Sequence, residues 1–220
     1  MKFYTFGIQR TCTNLAKKLI LTNFYSVLGN INDAGHWSWK HCSDAEQATA
    51  NISSQTPLIF CYKTPLLWIE SILRDDVGFI NRNGLTNYPD YHDKELLLSN
   101  SSYTFSIPIA IDNWIKFHIE WMKYIHRSNY VIMSQRKICD QPGAVSILAN
   151  IENKLKMIKK GSQWLLFKDA VDYANTQFNQ DFEKRKSNYL QNKTTNLTNK
   201  HIEYINNKIP QEVIDFYEKE

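Results

Sequence analysis

Residues 2–14 read KFYTFGIQRTCTN, and this stretch decides the fold. Residues 2–8 are apolar and aromatic, as a buried strand requires. Residues 9–13 (QRTCT) are small and polar, and from about Asn14 the apolar residues Leu15, Leu19 and Ile20 recur at helical spacing. The order is therefore strand, short polar loop, helix.

The pattern repeats further along. Residues 29–35 (GNINDAG) form turns, and the alternation in HWSWKH (36–41) fits a short strand. Residues 57–63 (PLIFCYK) hold a nearly continuous apolar run, expected of a parallel strand covered on both faces. Pro65 then suits the first turn of a helix running to Leu73. Residues 76–108 show no strong period and contain several Asn, Gly, Pro and Ser, so they read as a long insertion. An amphipathic helix follows over 110–127, then a strand at YVIMS (130–134). Residues 143–220 are expected to be mostly helical, with a short strand at Trp164-Leu165-Leu166-Phe167. Strands alternating with helices imply an α/β fold: a central parallel sheet between two helical layers. In such sheets ligands bind at the carboxyl ends of the strands. Three polar clusters fall there: 9–14, 40–41 and 63–71.

Composition narrows the function. A chain of 220 residues, 43% hydrophobic, can bury one sizeable core, so 1–220 is read as a single domain. The formal net charge of +4 looks spread along the chain, and no nucleic-acid recognition motif occurs. Such a balance suits a small, highly anionic ligand. No apolar run is long enough for a transmembrane helix, and the opening residues read as a strand rather than a signal peptide. Cys12, Cys42, Cys61 and Cys139 are scattered, as expected of reduced thiols in a cytoplasmic protein. The sequons at Asn51, Asn100, Asn192 and Asn196 reflect richness in Asn, Ser and Thr rather than glycosylation.

The first loop carries donors suited to an anion. Arg10 is permanently charged, and Thr11, Thr13 and Asn14 add directed donors beside a helix N-terminus. The Walker A pattern is absent. In the second loop, Lys63 closes an apolar strand and Ser71 follows eight positions later, two turns into the next helix.

Together these segments resemble the PAPS-dependent sulfotransferase family. Its 5′-phosphosulfate loop has the form [RK][ST]GT[ST] between the first strand and helix. Here it reads Arg10-Thr11-Cys12-Thr13-Asn14, after Phe6-Gly7-Ile8-Gln9. Its 3′-phosphate motif is a strand-end basic residue, a following Pro and a Ser eight positions on, matched by Lys63, Pro65 and Ser71, with Trp68 also fitting. The match covers about residues 3–75. Two departures stand out: Cys12 replaces the loop glycine, which would narrow the loop, make it redox-sensitive or leave catalysis weak, and Lys63 stands where many members have Arg.

The resemblance implies a P-loop NTPase-like sulfotransferase architecture, with PAPS as donor, PAP as product and no metal. It implies that Arg10 contacts the phosphosulfate, and that Gln9, Thr11, Cys12, Thr13 and Asn14 form the 5′-phosphate loop. Lys63 and Ser71 would bind the 3′-phosphate. Within Lys184-Arg185-Lys186, Arg185 and Lys186 would complete that pocket. Many members use a strand-end His as general base. His41 is the choice here, with His36 and Glu46 as alternatives and Lys40 holding the sulfonate. His118 and His126 read as structural. Tyr88, Tyr91, His92 and Tyr103 in the 76–108 insertion would shape the site of a small-molecule or glycan acceptor. Neither nucleic acid nor membrane insertion is expected. A non-catalytic PAP- or nucleotide-binding protein of the same fold and a kinase-like phosphotransferase are the competing readings.

Overall fold

The computed structural model describes residues 1–8, 11–29, 41, 43–73, 93–99, 104–125, 129–166, 187–188 and 190–219. A four-stranded parallel sheet lies at the centre. Its strands are β1 (Lys2–Phe6), β2 (Val27–Leu28), β3 (Leu58–Tyr62) and a strand later in the chain at Tyr130–Ser134. Across the sheet the order is β2, β1, β3 and then Tyr130–Ser134. The register pairs Phe6 with Phe60, and Tyr62 with Ser134, so three carboxyl ends lie side by side.

The helices in chain order are α1 (Thr13–Asn23), α2 (Ala45–Thr49), α3 (Pro65–Ile72), α4 (Ile107–Ile125), α5 (Gln135–Cys139), α6 (Gln141–Leu155), α7 (Asn199–Lys208) and α8 (Gln211–Lys219). Alternate strand residues point to opposite faces. Tyr4, Phe6, Leu58, Phe60 and Tyr62 enter one apolar cluster with residues of α2, α3, α4, α7 and α8. Phe3, Ile59, Cys61, Val131 and Met133 enter a second, with α1, α5 and α6. Both faces are covered, which is why β3 and the Tyr130–Ser134 strand read as unbroken apolar runs.

Several expectations change. The 76–108 insertion is not featureless: a helical turn at Lys94–Leu96 leads into an antiparallel pair, β4 (Leu97–Ser99) and β5 (Thr104–Ser106). The Tyr130–Ser134 strand is accordingly β6. β4 and β5 have three residues each, too few to show a period. The edge strand β2 was not expected, and it has only two residues. Trp164–Leu166 form no strand. Instead the Asn23 side chain takes the place of a strand partner: its Nδ2 donates to the Leu165 carbonyl at 2.8 Å, and its Oδ1 accepts from the Leu165 N–H at 2.8 Å. Phe167 and most of the expected 36–41 strand lie outside the described residues.

The first cluster is aromatic. Trp68, Trp114 and Trp121 are fully buried; truncating any one to Ala costs about 3–5 kcal/mol. His118 sits among them, stacked on Trp114 with ring centroids 3.8 Å apart. Its Nδ1 donates to the Trp114 carbonyl at 2.7 Å, while Nε2 has no hydrogen-bond partner. The structural reading of His118 therefore holds; His126 lies outside the described residues.

Burial lowers the His118 pKa from 6.5 to about 3, against the opposing pull of the Trp114 carbonyl. Through that window the unfolded chain takes up a proton that the folded chain excludes. Stability therefore falls as pH drops, by about 1.4 kcal/mol per unit from this group. Urea unfolding at neutral pH and at the middle of the window should show this. His118→Phe should lose less stability on acidification than the natural chain; an equal loss in both would assign the effect to other groups.

Candidate functional site

The site is built where β1 and β3 end. Gly7 follows β1 with φ 156°, and a Cβ there would come 2.5 Å from Thr11 Oγ1 and 2.6 Å from the Cys61 carbonyl oxygen. The loop thus turns directly against the end of β3. Thr11, fully buried, donates from Oγ1 to the Ile8 carbonyl at 2.5 Å, and its N–H bonds the same oxygen at 3.2 Å. Its hydroxyl holds the turn closed.

Cys12 comes next, with φ 65° and ψ 25°. This is the left-handed region, which a non-glycine residue enters at a cost of about 1–2 kcal/mol. The position where the resemblance expects glycine is therefore the one whose backbone favours it, and the loop keeps its turn at the expense of strain. Cys12 provides no side-chain cap, and the first turn of α1 contains no acidic residue. Thr13 and Asn14 occupy that turn, one buried and one exposed, where helix N–H groups and the macrodipole favour an anion.

Lys63 is the first residue beyond β3 and only 4% exposed. It is close enough to Cys12 to act on its titration. Burial pushes the Cys12 thiol up to about 12, and the Lys63 ammonium only partly opposes this. Lys63 and the first loop thus form one neighbourhood.

His41 joins them. Its Nδ1 lies 2.7 Å from the Gly7 carbonyl oxygen. A carbonyl only accepts, so Nδ1 carries the hydrogen and, in the neutral ring, Nε2 carries the basic lone pair. His41 itself lies in a helical turn, and residues 36–40 before it lie outside the described residues. The alternative base Glu46 is exposed on α2.

The second loop departs in detail. The Thr64 hydroxyl does not cap α3; it donates to Asn192 Oδ1 at 2.6 Å. Ser71 is buried and donates to the Trp68 carbonyl at 2.7 Å, so its hydroxyl would have to rotate to reach a phosphate. Gln9, Arg10, Lys40, Arg185 and Lys186, with His36 and Lys184, lie outside the described residues, as do Tyr88, Tyr91, His92 and Tyr103.

Two residues at this edge were not anticipated. Glu70, 3% exposed, accepts four hydrogen bonds: from the Thr195 N–H and Oγ1 at 3.3 and 2.6 Å, and from the Asn196 N–H and Nδ2 at 3.3 and 2.5 Å. With Thr64–Asn192 it fastens residues 192–196 across α3. The amide nitrogen of the Asn196 sequon is engaged in this contact. Gln135, 5% exposed at the end of β6, has an Oε1 without a hydrogen-bond partner. A buried amide oxygen in that state calls for a donor.

Among the described residues, no cluster of three or more His, Cys, Asp or Glu could hold a metal ion, and no helix is long and apolar enough to cross a membrane. Cys12, Cys61 and Cys139 are not paired in disulfides. No family model, curated protein or solved structure matches this chain.

The strain at Cys12 is testable. Cys12→Gly should stabilise the chain by about 1 kcal/mol, because relief of the left-handed penalty outweighs glycine's entropy in the unfolded state. Urea unfolding at neutral pH measures it. A lower midpoint would mean that thiol packing matters more than backbone strain.

Proposed function

We propose that this protein is a PAPS-dependent sulfotransferase of P-loop-like architecture, moving a sulfuryl group from PAPS to an acceptor hydroxyl or amine. The observation that carries the reading is the junction of the two loops. Gly7, Thr11, Cys12 and His41 gather at the end of β1, and Lys63 follows the end of the neighbouring β3, close enough to Cys12 to act on its charge. The two stretches that resemble the family's phosphate motifs thus open on one edge of the sheet.

In this reading the first turn of α1 takes the 5′-phosphate through backbone N–H groups. Lys63 meets the 3′-phosphate as a point charge, with Ser71 rotating to join it. Arg10 stabilises charge on the bridging oxygen as the S–O bond breaks, and Arg185 and Lys186 close the pocket. His41 Nε2 takes the proton of the acceptor as its oxygen or nitrogen attacks sulfur in line. The Gly7 carbonyl fixes the tautomer that this step requires. PAP then leaves with the electron pair of the broken bond.

Calorimetric titration with PAP, AMP and ATP, with and without Mg²⁺, tests the reading. Micromolar PAP binding that needs no Mg²⁺ and greatly exceeds AMP binding supports it. No preference for PAP over AMP or ATP would overturn it, and a requirement for Mg²⁺ would favour a phosphotransferase.

A further inference from the structure

The large apolar side chains most exposed among the described residues are Met1, Tyr25, Val27, Ile158 and Leu165, between 41% and 66% accessible. Hydrogen bonds join the segments that carry them. The Val27 N–H bonds the Met1 carbonyl at 2.9 Å, and the Tyr25 N–H bonds the Ile158 carbonyl at 2.9 Å. Leu165 is pinned to Asn23. A bridge between Phe24 and Lys159 joins the two segments. A gathered apolar surface of this kind marks an interaction site, whereas scattered exposed residues need no explanation.

The segments that carry these side chains also carry lysines. Lys2, Lys156 and Lys160 are exposed, and Lys160 Nζ donates to the Leu21 carbonyl at 2.6 Å while lying 5.9 Å from the centre of the Tyr25 ring.

We propose that this face docks on an anionic lipid surface, peripherally and without insertion of a helix. Aliphatic side chains, an interfacial tyrosine and long-stemmed lysines fit the boundary between headgroups and acyl chains. The alternatives fit less well. A second copy would bring two positive faces together, and a two-residue edge strand offers too short a ladder for strand addition by a protein partner. The face lies at the amino ends of β1 and β2, about 17 Å along the strands from the loop after Gly7. Docking there would leave the candidate site uncovered.

The test is co-sedimentation of the full chain with vesicles of phosphatidylcholine alone, and of phosphatidylcholine and phosphatidylglycerol in equal parts. Binding to the anionic vesicles only, weakened by salt, is expected. Lys2→Gln and Lys156→Gln should each reduce it about fivefold. The double variant Val27→Ser, Ile158→Ser should reduce it further, while circular dichroism and PAP affinity stay unchanged. No binding to anionic vesicles at low salt would overturn the proposal, as would equal binding by all variants. So would an oligomer on gel filtration that the serine variant dissolves, which would make this face a contact between copies. Because PAP titration is separate, failure of the sulfotransferase reading would leave the vesicle result intact.

Discussion

Lys63→Ala should lower PAP affinity about 100-fold, the loss expected when one partner of a buried, charge-assisted contact is removed. Lys63 is 4% exposed at the end of β3. A phosphate reaching it leaves bulk water for a less polarisable pocket, in which the attraction of opposite charges counts for more than on the surface. AMP has no 3′-phosphate, so its affinity should barely change and the ratio of PAP to AMP binding should collapse. Lys63→Met keeps the aliphatic stem and should lose PAP equally, which separates charge from packing. Titration calorimetry of the three proteins decides. An unchanged ratio would remove Lys63 from the site, and with it the two-phosphate reading.

Gly7→Ala should destabilise the protein by about 3 kcal/mol, or roughly 10 °C in melting temperature. The added methyl would meet Thr11 Oγ1 at 2.5 Å and the Cys61 carbonyl at 2.6 Å, with φ at 156°. The first neighbour holds the turn and the second belongs to a central strand, so neither yields readily. His41 bonds the carbonyl of this same residue, so a shift of Gly7 also displaces the ring. Thermal melting and PAP titration together separate the outcomes. A variant that melts like the natural chain would mean the loop relaxes without cost.

What was legible in the sequence followed from burial. β3 and β6 are covered on both faces and so announce themselves as apolar runs, and α1 and α4 show their helical spacing. β2 and the β4–β5 pair escaped because two or three residues carry no period. Trp164–Leu166 were misread because an apolar run looks alike whether its backbone pairs with a strand or, as here, with one asparagine. In the candidate site, Lys63 and the loop at 9–14 were visible as polar residues directly after apolar strands. His41 was chosen for its chemistry, and the residues that lead into it lie outside the described ones. Glu70 and Gln135 were invisible. One glutamate on a helix reads as solvated until the fold brings Thr195 and Asn196 over it, and a buried amide without a partner leaves no sequence pattern.

The Glu70 clasp also bears on the order in which this molecule is built. Its donors lie 125 and 126 positions downstream, so during synthesis the carboxylate emerges long before the groups that satisfy it. The parallel sheet can pair once Ser134 has emerged. The wall behind the second loop then waits for the segment around residue 195, a closure with a large entropic cost. A nascent chain halted between those points would have its strands in place and a buried acid still exposed to water, and would be most susceptible to proteases along α3.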